Sequence, residues 1–408
     1  KIHQLDDKAL FDVQHQLKIR LLDYVRAKLQ TDMQRRGESP RVIFDILSKI
    51  DDNALVLGFA RRFATYKRAT LLFKNEERLK ELVNQEGRPV IFLFAGKAHP
   101  ADQGGQDLIR HIIHVSKKPE FAGKIIFLED YNMEMAKLLT QGVDIWLNTP
   151  TRPLEASGTS GMKAALNGRP NFSVLDGWWA EGYRPDAGWA LPLERTYEEQ
   201  HLQNELDAEL IYHTMEEEII PLYFDRDEAG ISATWMHYVK QIIAEVAPTF
   251  TMKRMMDDYY ERFYFPLGKS QKATSKTKYK PAKAYAAWKQ DVTDHWDGIE
   301  VVNIDAFDSV NQALHMDDQF TATITLDTNG IDAKDLLLEL VTYRRLSEEK
   351  LELARKEPFQ LKGQKNGQAT FTIALDPSLT GVFEYGFRLR PQHKLMAHAQ
   401  DLNLVYWV

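Results

Sequence analysis

Five short, continuously apolar runs recur through residues 1–225, at 54–58, 90–96, 124–129, 145–148 and 171–175, each followed by an amphipathic stretch. No other feature restricts the fold as much. A strand that is apolar at every position must be covered on both faces, which is the situation of a parallel sheet between two helix layers. The intervening stretches carry the helical period: Leu108, Ile112 and Val115 recur at i, i+4 and i+7, and Leu72, Leu79 and Leu82 do much the same. Strand and helix alternating at this spacing predict an α/β, Rossmann-like, doubly wound lobe. Residues 11–29 read as one long helix ahead of it.

The pattern then changes twice. Residues 226–268 are helical in period and rich in aromatics, as in MKRMMDDYYERFYF, and are taken as the closing helices of the lobe. The run KSQKATSKTKYKPAK (269–283) holds six lysines and almost nothing apolar. It reads either as a basic patch for polyanions or as a solvated linker over 269–284, and its composition favours the linker. From 285 to 408 the period becomes 2: Phe320, Ala322, Ile324 and Leu326 alternate with threonines, and Phe371–Leu375 and Phe383–Leu389 repeat the pattern. With the turn Thr328-Asn329-Gly330 this predicts a small all-β sandwich.

Composition removes several classes of function. Fifty-two Lys and Arg against 59 Asp and Glu leave a formal charge of -7, unlike a general nucleic-acid binder. Without cysteine there is no disulfide, thiolate metal site or thiol nucleophile. The longest apolar runs, such as VIFLFA, are too short to span a bilayer, and the opening KIHQLDDKALFDVQHQL is unlike a leader. The expectation is a soluble, cytoplasmic protein with no membrane partner.

In a doubly wound sheet, ligands sit at the carboxyl ends of the strands. The segment Glu155-Ala156-Ser157-Gly158-Thr159-Ser160-Gly161-Met162-Lys163 follows one strand and precedes a helical stretch at 164–168. Its small residues let backbone N–H groups approach an anion at a helix start, although a plain turn would look similar. Arg61-Arg62-Phe63-Ala64-Thr65-Tyr66-Lys67-Arg68 sets four cations after the first strand. They would repel one another unless an anion lies between them, or they could simply point into water. Gly96-Lys97-Ala98-His99-Pro100 and Leu128-Glu129-Asp130-Tyr131 are two further strand ends. His111 and His114, three apart on a helix, lack a third metal ligand at plausible spacing.

At these segments the chain resembles the α-glucan phosphorylases, the glycogen and maltodextrin phosphorylase family, which uses pyridoxal 5'-phosphate. EASGTSGMKAALNG (155–168) is similar to the family's cofactor-lysine motif, RRFATYKR (61–68) to its basic motif, and GKAHP (96–100) and FLEDY (127–131) to two more, in the family's order. GFARRFATYKRATLLF and DGWWAEGY resemble the shorter bacterial-type subgroup. The resemblance covers about 1–265 and implies the carboxyl-terminal lobe of a glycosyltransferase-B fold, with the sandwich outside it. It implies that Lys163 forms a Schiff base with the cofactor. Lys67 then lies near the cofactor phosphate and Arg62 near the substrate phosphate. Arg61, Thr159, Ser160 and Tyr131 contact the cofactor, while Glu155, Ala156, Ser157 and Gly158 grip the glucose. Departures are Ala64-Thr65, where the family has His-Glu, and Asn132, where long members have Arg.

The implied reaction is reversible phosphorolysis of an α-1,4-glucan by orthophosphate, giving glucose 1-phosphate. The family's first lobe has no counterpart in the sequence, so it is an expected partner and an exposed apolar face is expected where it packs. A chain without it can be inactive, and a homo-oligomer is among the assemblies the resemblance allows. Two alternatives remain: a nucleotide-sugar glucosyltransferase of the glycogen-synthase type, and a non-catalytic glucan-binding protein in which Tyr343 and Trp407 stack on sugars.

Overall fold

The apolar runs form parallel strands β1 (Leu55–Ala60), β2 (Val90–Ala95), β3 (Ile125–Leu128), β4 (Ile145–Asn148) and β5 (Asn171–Val174). A sixth parallel strand, β6 (Gly188–Leu191), escaped the sequence reading. The computed structural model describes residues 1–191, 199–306, 319–346, 351–376 and 382–408. It divides into two compact units, Lys1–Met256 and Asp257–Val408.

In the first unit the sheet order is β3-β2-β1-β4-β5-β6, the Rossmann order. Side chains alternate along each strand, so one strand feeds two cores. Leu55, Leu57 and Phe59 join Val90, Phe92 and Phe94 on one face, beneath α3 (Glu76–Val83), α4 (Gln103–Ser116) and α8 (Gln200–Thr214). Val56, Ala60, Ile91 and Leu93 face the opposite layer, formed by α1 (Asp7–Arg35), α5 (Met133–Gly142) and α6 (Thr159–Leu166). The long first helix starts where Asp6 accepts a hydrogen bond from the Ala9 N–H at 3.1 Å, satisfying a donor that would otherwise be orphaned. It buries Leu21, Leu22 and Val25 completely.

One charged group of α1 is buried too. Lys18 Nζ donates to the Ala54 carbonyl at 3.0 Å, to Asp144 Oδ2 at 2.9 Å and to the Tyr223 hydroxyl. Burial opposes the ammonium charge, but Asp144 and Tyr223 outweigh it and hold its pKa above the ordinary value. Asp144 also accepts from the Val56 N–H at 2.9 Å, so the cluster ties α1 to the amino-terminal edge of the sheet.

The second unit is a sandwich. β9 (Leu336–Arg345), β10 (Leu351–Pro358), β13 (Glu384–Pro391) and β14 (Tyr406–Trp407) form a sheet in the order β10-β9-β13-β14. β7 (Glu300–Ala306), β8 (Phe320–Asp327), β11 (Gln360–Lys365) and β12 (Gln368–Leu375) form the other, in the order β11-β12-β8-β7. All pairings are antiparallel, and Ile324, Leu326 and Phe371 of one sheet share a core with Leu338, Leu340 and Leu389 of the other.

The lysine-rich run, read from composition as a linker, is largely helical but broken: it spans the end of the helix Phe265–Thr274 and the start of Lys276–Trp296, where Thr277, Lys278 and Tyr279 leave helical geometry with φ of +49°, +52° and +64°. Its lysines stay out of the core while Val292 and Trp296, one turn apart, bury themselves against the sandwich. The boundary between units also falls earlier than the expected 268. The helices Met252–Tyr259, Tyr260–Tyr264 and Phe265–Thr274 bury no residue, so they add nothing to the first core. Met252, Tyr260, Phe263, Tyr264 and Leu267 are exposed there. No described helix is long and apolar enough to cross a membrane.

Candidate active site

Strand order reverses between β1 and β4, which are hydrogen-bonded neighbours: the chain winds outward from β1 through β2 to β3, and from β4 through β5 to β6. The crevice at the carboxyl ends of two such strands is where an open α/β sheet takes its ligand. Two segments singled out in the sequence lie there, 61–68 after β1 and 155–163 after β4.

The first is fixed by backbone pairing that continues past the strand. Arg61 N–H donates to the Ala95 carbonyl at 3.1 Å and Phe63 N–H to the Lys97 carbonyl at 3.0 Å, while the Phe63 ring is fully buried. The sequence left the four cations either around an external anion or pointing into water. The chain itself supplies carboxylates for three of them. Arg61 Nη2 lies 3.1 Å from both oxygens of Glu155, and Lys67 Nζ donates to Glu155 Oε2. Arg68 pairs with Asp207 at 2.6 Å and donates to the carbonyls of Thr149 and Pro150 at 2.8 and 3.0 Å. Arg62 is exposed. Burial depresses the Arg61 guanidinium below its ordinary pKa, with Glu155 opposing the shift. Burial raises the Tyr66 phenol, but hydrogen bonds from Lys67 and Arg62 bring it below its usual value.

The second segment begins its helix earlier than expected. α6 starts at Thr159, not Ala164, and its N-cap Gly158 (φ +81°) offers no side chain to the first-turn N–H groups. Those donors and the helix dipole favour an anion by about 0.3–1 kcal/mol, before any direct hydrogen bonds. Lys163 and Thr159 are exposed on this helix and Ser160 is half-buried, while Glu155 is buried and Ala156 exposed ahead of it.

A brace that sequence reasoning missed holds this loop. Glu155 N–H donates to Asp176 Oδ2 at 2.9 Å, and Trp178 N–H donates to the Ser157 carbonyl at 2.8 Å. Between them Gly177 has φ +55°, and a Cβ there would lie 2.5 Å from the Ser157 oxygen, so only glycine fits. The available signal was an Asp-Gly pair directly after β5.

The other predicted positions lie outside the Glu155 cluster. Tyr131, after edge strand β3, is half-buried against the apolar layer that also contains Ala164 of α6, and burial raises its phenol pKa. Glu129 pairs with Arg35 at 2.8 Å and with Arg36. Asn132 caps α5, its Oδ1 accepting from the Met135 N–H at 3.0 Å. Lys97 is exposed. His111 packs against Phe73 with ring centroids 5.6 Å apart, and no cluster of three or more His, Asp or Glu among the described residues is placed to hold a metal.

Several buried polar atoms around the two loops make no hydrogen bond: Arg61 Nε and Nη1, Asn148 Oδ1 and Trp178 Nε1. Gly161 of α6 packs against that indole, where a Cβ would sit 2.7 Å from Nε1. Unpaired donors beside an uncapped helix start suit an anionic ligand.

Residues 4–181 match the carbohydrate phosphorylase family and residues 296–408 the glycogen phosphorylase C-terminal domain. The chain is 34% identical over 406 residues to a glycogen phosphorylase of Mycobacterium bovis, covering 99% of this chain and 47% of that protein. It is 34% identical over 410 residues to a maltodextrin phosphorylase of Thermococcus litoralis, covering 100% and 47% respectively. A glycogen phosphorylase of Aquifex aeolicus is 42% identical over 270 residues, 66% of this chain and 39% of that protein. The chain thus spans about half the length of the curated relatives it matches. Fold, motif order and these similarities agree: the chain belongs to the carbohydrate phosphorylase family.

Proposed function

We propose that the crevice between the β1 and β4 loops is the cofactor and phosphate site of an α-1,4-glucan phosphorylase. The protein would convert orthophosphate and a glucan to glucose 1-phosphate and a shortened glucan, in the cytoplasm. One observation carries the reading: Glu155, on the loop leading into α6, is clamped by Arg61 and Lys67 from the loop after β1. The family's names for its members supply the substrate class.

The chain's residues fit pyridoxal 5'-phosphate. Lys163 offers an exposed amine, and Thr159 and Ser160 open an uncapped helix just after Glu155, the residue that Lys67 pairs with. When bound, the cofactor supplies a phosphate whose second pKa near 6 lets it exchange a proton near neutrality. Lys163 would anchor it, and the first-turn N–H groups of α6 would receive its phosphate. Arg62, exposed at the rim, meets the substrate phosphate and stabilises charge as the glycosidic bond breaks. Arg61 and Lys67 take three of the roughly four acceptor positions of the Glu155 carboxylate. The remaining one, with the N–H groups of Ser157 and Gly158, is available to a sugar hydroxyl.

The test is to incubate the chain with pyridoxal phosphate, reduce with borohydride and map the labelled peptide. The expected result is a visible absorbance band and a label on Lys163, both lost in Lys163→Ala. A label spread over surface lysines, with Lys163 unmodified, would overturn the assignment. Release of glucose 1-phosphate from maltoheptaose and orthophosphate tests the reaction itself.

A further inference from the structure

The outer face of the β10-β9-β13-β14 sheet is built differently from the rest of the sandwich surface. Tyr385, Phe387 and Leu389 of β13 point into the core, so Glu384, Gly386, Arg388 and Arg390 point outward. On β9 the same face carries Glu339, paired in register with Arg388, and Val341, paired with Gly386. Trp407 of β14 lies opposite Arg388. Its indole packs against Gly386, where a Cβ would come within 3.3 Å of ring atom Cζ3, so glycine leaves room for the ring. Trp407 is nonetheless 52% exposed, and the Arg388 guanidinium sits 5.9 Å from its ring centroid.

Beside the ring, donors are fixed in place. Arg388 gives Nε and Nη2 to Glu339 Oε2 at 3.2 and 2.7 Å. Arg390 gives Nε to Oε2 at 3.0 Å and Nη2 to Oε1 at 3.2 Å. Each fork is therefore oriented through one edge, and its Nη1 amino group remains as a positioned donor. Glu339 is itself buried, which makes it the hub that orders both side chains. An open aromatic face flanked by planar, pre-oriented donors matches one ligand chemistry closely. A pyranose presents an apolar C–H face for stacking and a rim of hydroxyls that accept from guanidinium.

We infer that this face binds a sugar chain, with Trp407 stacking on a pyranose ring and Arg388 and Arg390 donating to its hydroxyls. The choice of an α-glucan among sugars rests on the proposed phosphorylase function. Such a surface would hold the polymer independently of the Glu155 loop.

The experiment uses the full chain in native gels cast with glycogen, together with tryptophan-fluorescence titration by maltoheptaose. Wild type is expected to be retarded by glycogen, and Lys163→Ala equally so. Trp407→Ala is expected to bind about tenfold more weakly, the size of one aromatic stacking contact. Arg388→Gln, which leaves Arg390 on Glu339, should weaken binding while retaining the wild-type melting temperature. Undiminished retardation of Trp407→Ala overturns the inference, as does a wild type that runs freely in glycogen. Retardation by heparin but not glycogen overturns it too, showing an anion site instead. None of these results alters the Lys163 labelling outcome, so the two proposals fail separately.

Discussion

Arg61 and Glu155 meet across the switch point of the sheet, with one guanidinium nitrogen 3.1 Å from each carboxylate oxygen, and Lys67, from the same loop as Arg61, completes the cluster. Both cationic side chains are more than 90% buried. Removing the carboxylate strands two positive charges away from water, which costs about 3–5 kcal/mol for a buried ion pair. Glu155→Gln should therefore lower the urea midpoint by a matching amount. Added inorganic phosphate should restore more stability to Glu155→Gln than to wild type, because the anion replaces the lost charge. Equal phosphate effects in the two proteins would show that no anion reaches Arg61 and Lys67.

Gly177 holds the Glu155 loop through its backbone, its own N–H donating to Asp176 Oδ1 at 2.9 Å. A β-carbon there would collide with the Ser157 carbonyl, and φ +55° disfavours any L side chain. Gly177→Ala should cost about 1–3 kcal/mol. It should also release the Glu155 loop, read as faster amide exchange at Glu155 and Trp178, the donors of the two bracing hydrogen bonds.

Buried charge of a purely structural kind makes a third prediction. Asp144→Ala leaves the Lys18 ammonium inside α1 with no carboxylate and should cost about 3–5 kcal/mol, while adding Lys18→Met should recover part of the loss. The Lys18 pKa is raised above 10.5 in the folded state. Its contribution is therefore complete below pH 10.5 and lost as pH rises through the folded value. The stability difference between wild type and Lys18→Met should shift against the wild type only in that alkaline range.

His393 behaves in the opposite sense. It stacks on Tyr285, centroids 4.9 Å apart, and packs tilted against Trp288 at 4.6 Å, and burial, with Lys394, pulls its pKa below 6.5 against the influence of Asp335. A histidine kept neutral in the fold stabilises above its unfolded pKa and loses that contribution as pH falls. The melting temperature should thus drop between pH 7.5 and 5 more in wild type than in His393→Tyr, which keeps a ring and cannot be protonated.

The architecture of the first unit was largely legible because burial on both faces writes itself into sequence as unbroken apolar runs. The 145–148 run matches β4 at both ends. β6 escaped because Gly188-Trp189-Ala190-Leu191 is short and opens on glycine. The helical segments on either side of the break at Thr277–Tyr279 were hidden by composition: the buried residues of the second, Val292 and Trp296, lie beyond the charged part. Among the candidate residues, sequence pointed to the two loops but not to who pairs with whom. The contacts of Glu155 with Lys67 and Asp176 join positions 88 and 21 residues apart, and no local pattern encodes them.

That separation has a consequence for biosynthesis. β1 and β4 are adjacent in space but divided by two complete strand–helix excursions. A ribosome-bound chain that has emerged only as far as the basic motif has its cations but no acidic counterpart. The Glu155 clamp can close only after β4 inserts beside β1, so a phosphate-dependent signal from a growing chain would mark the moment the central strands come together.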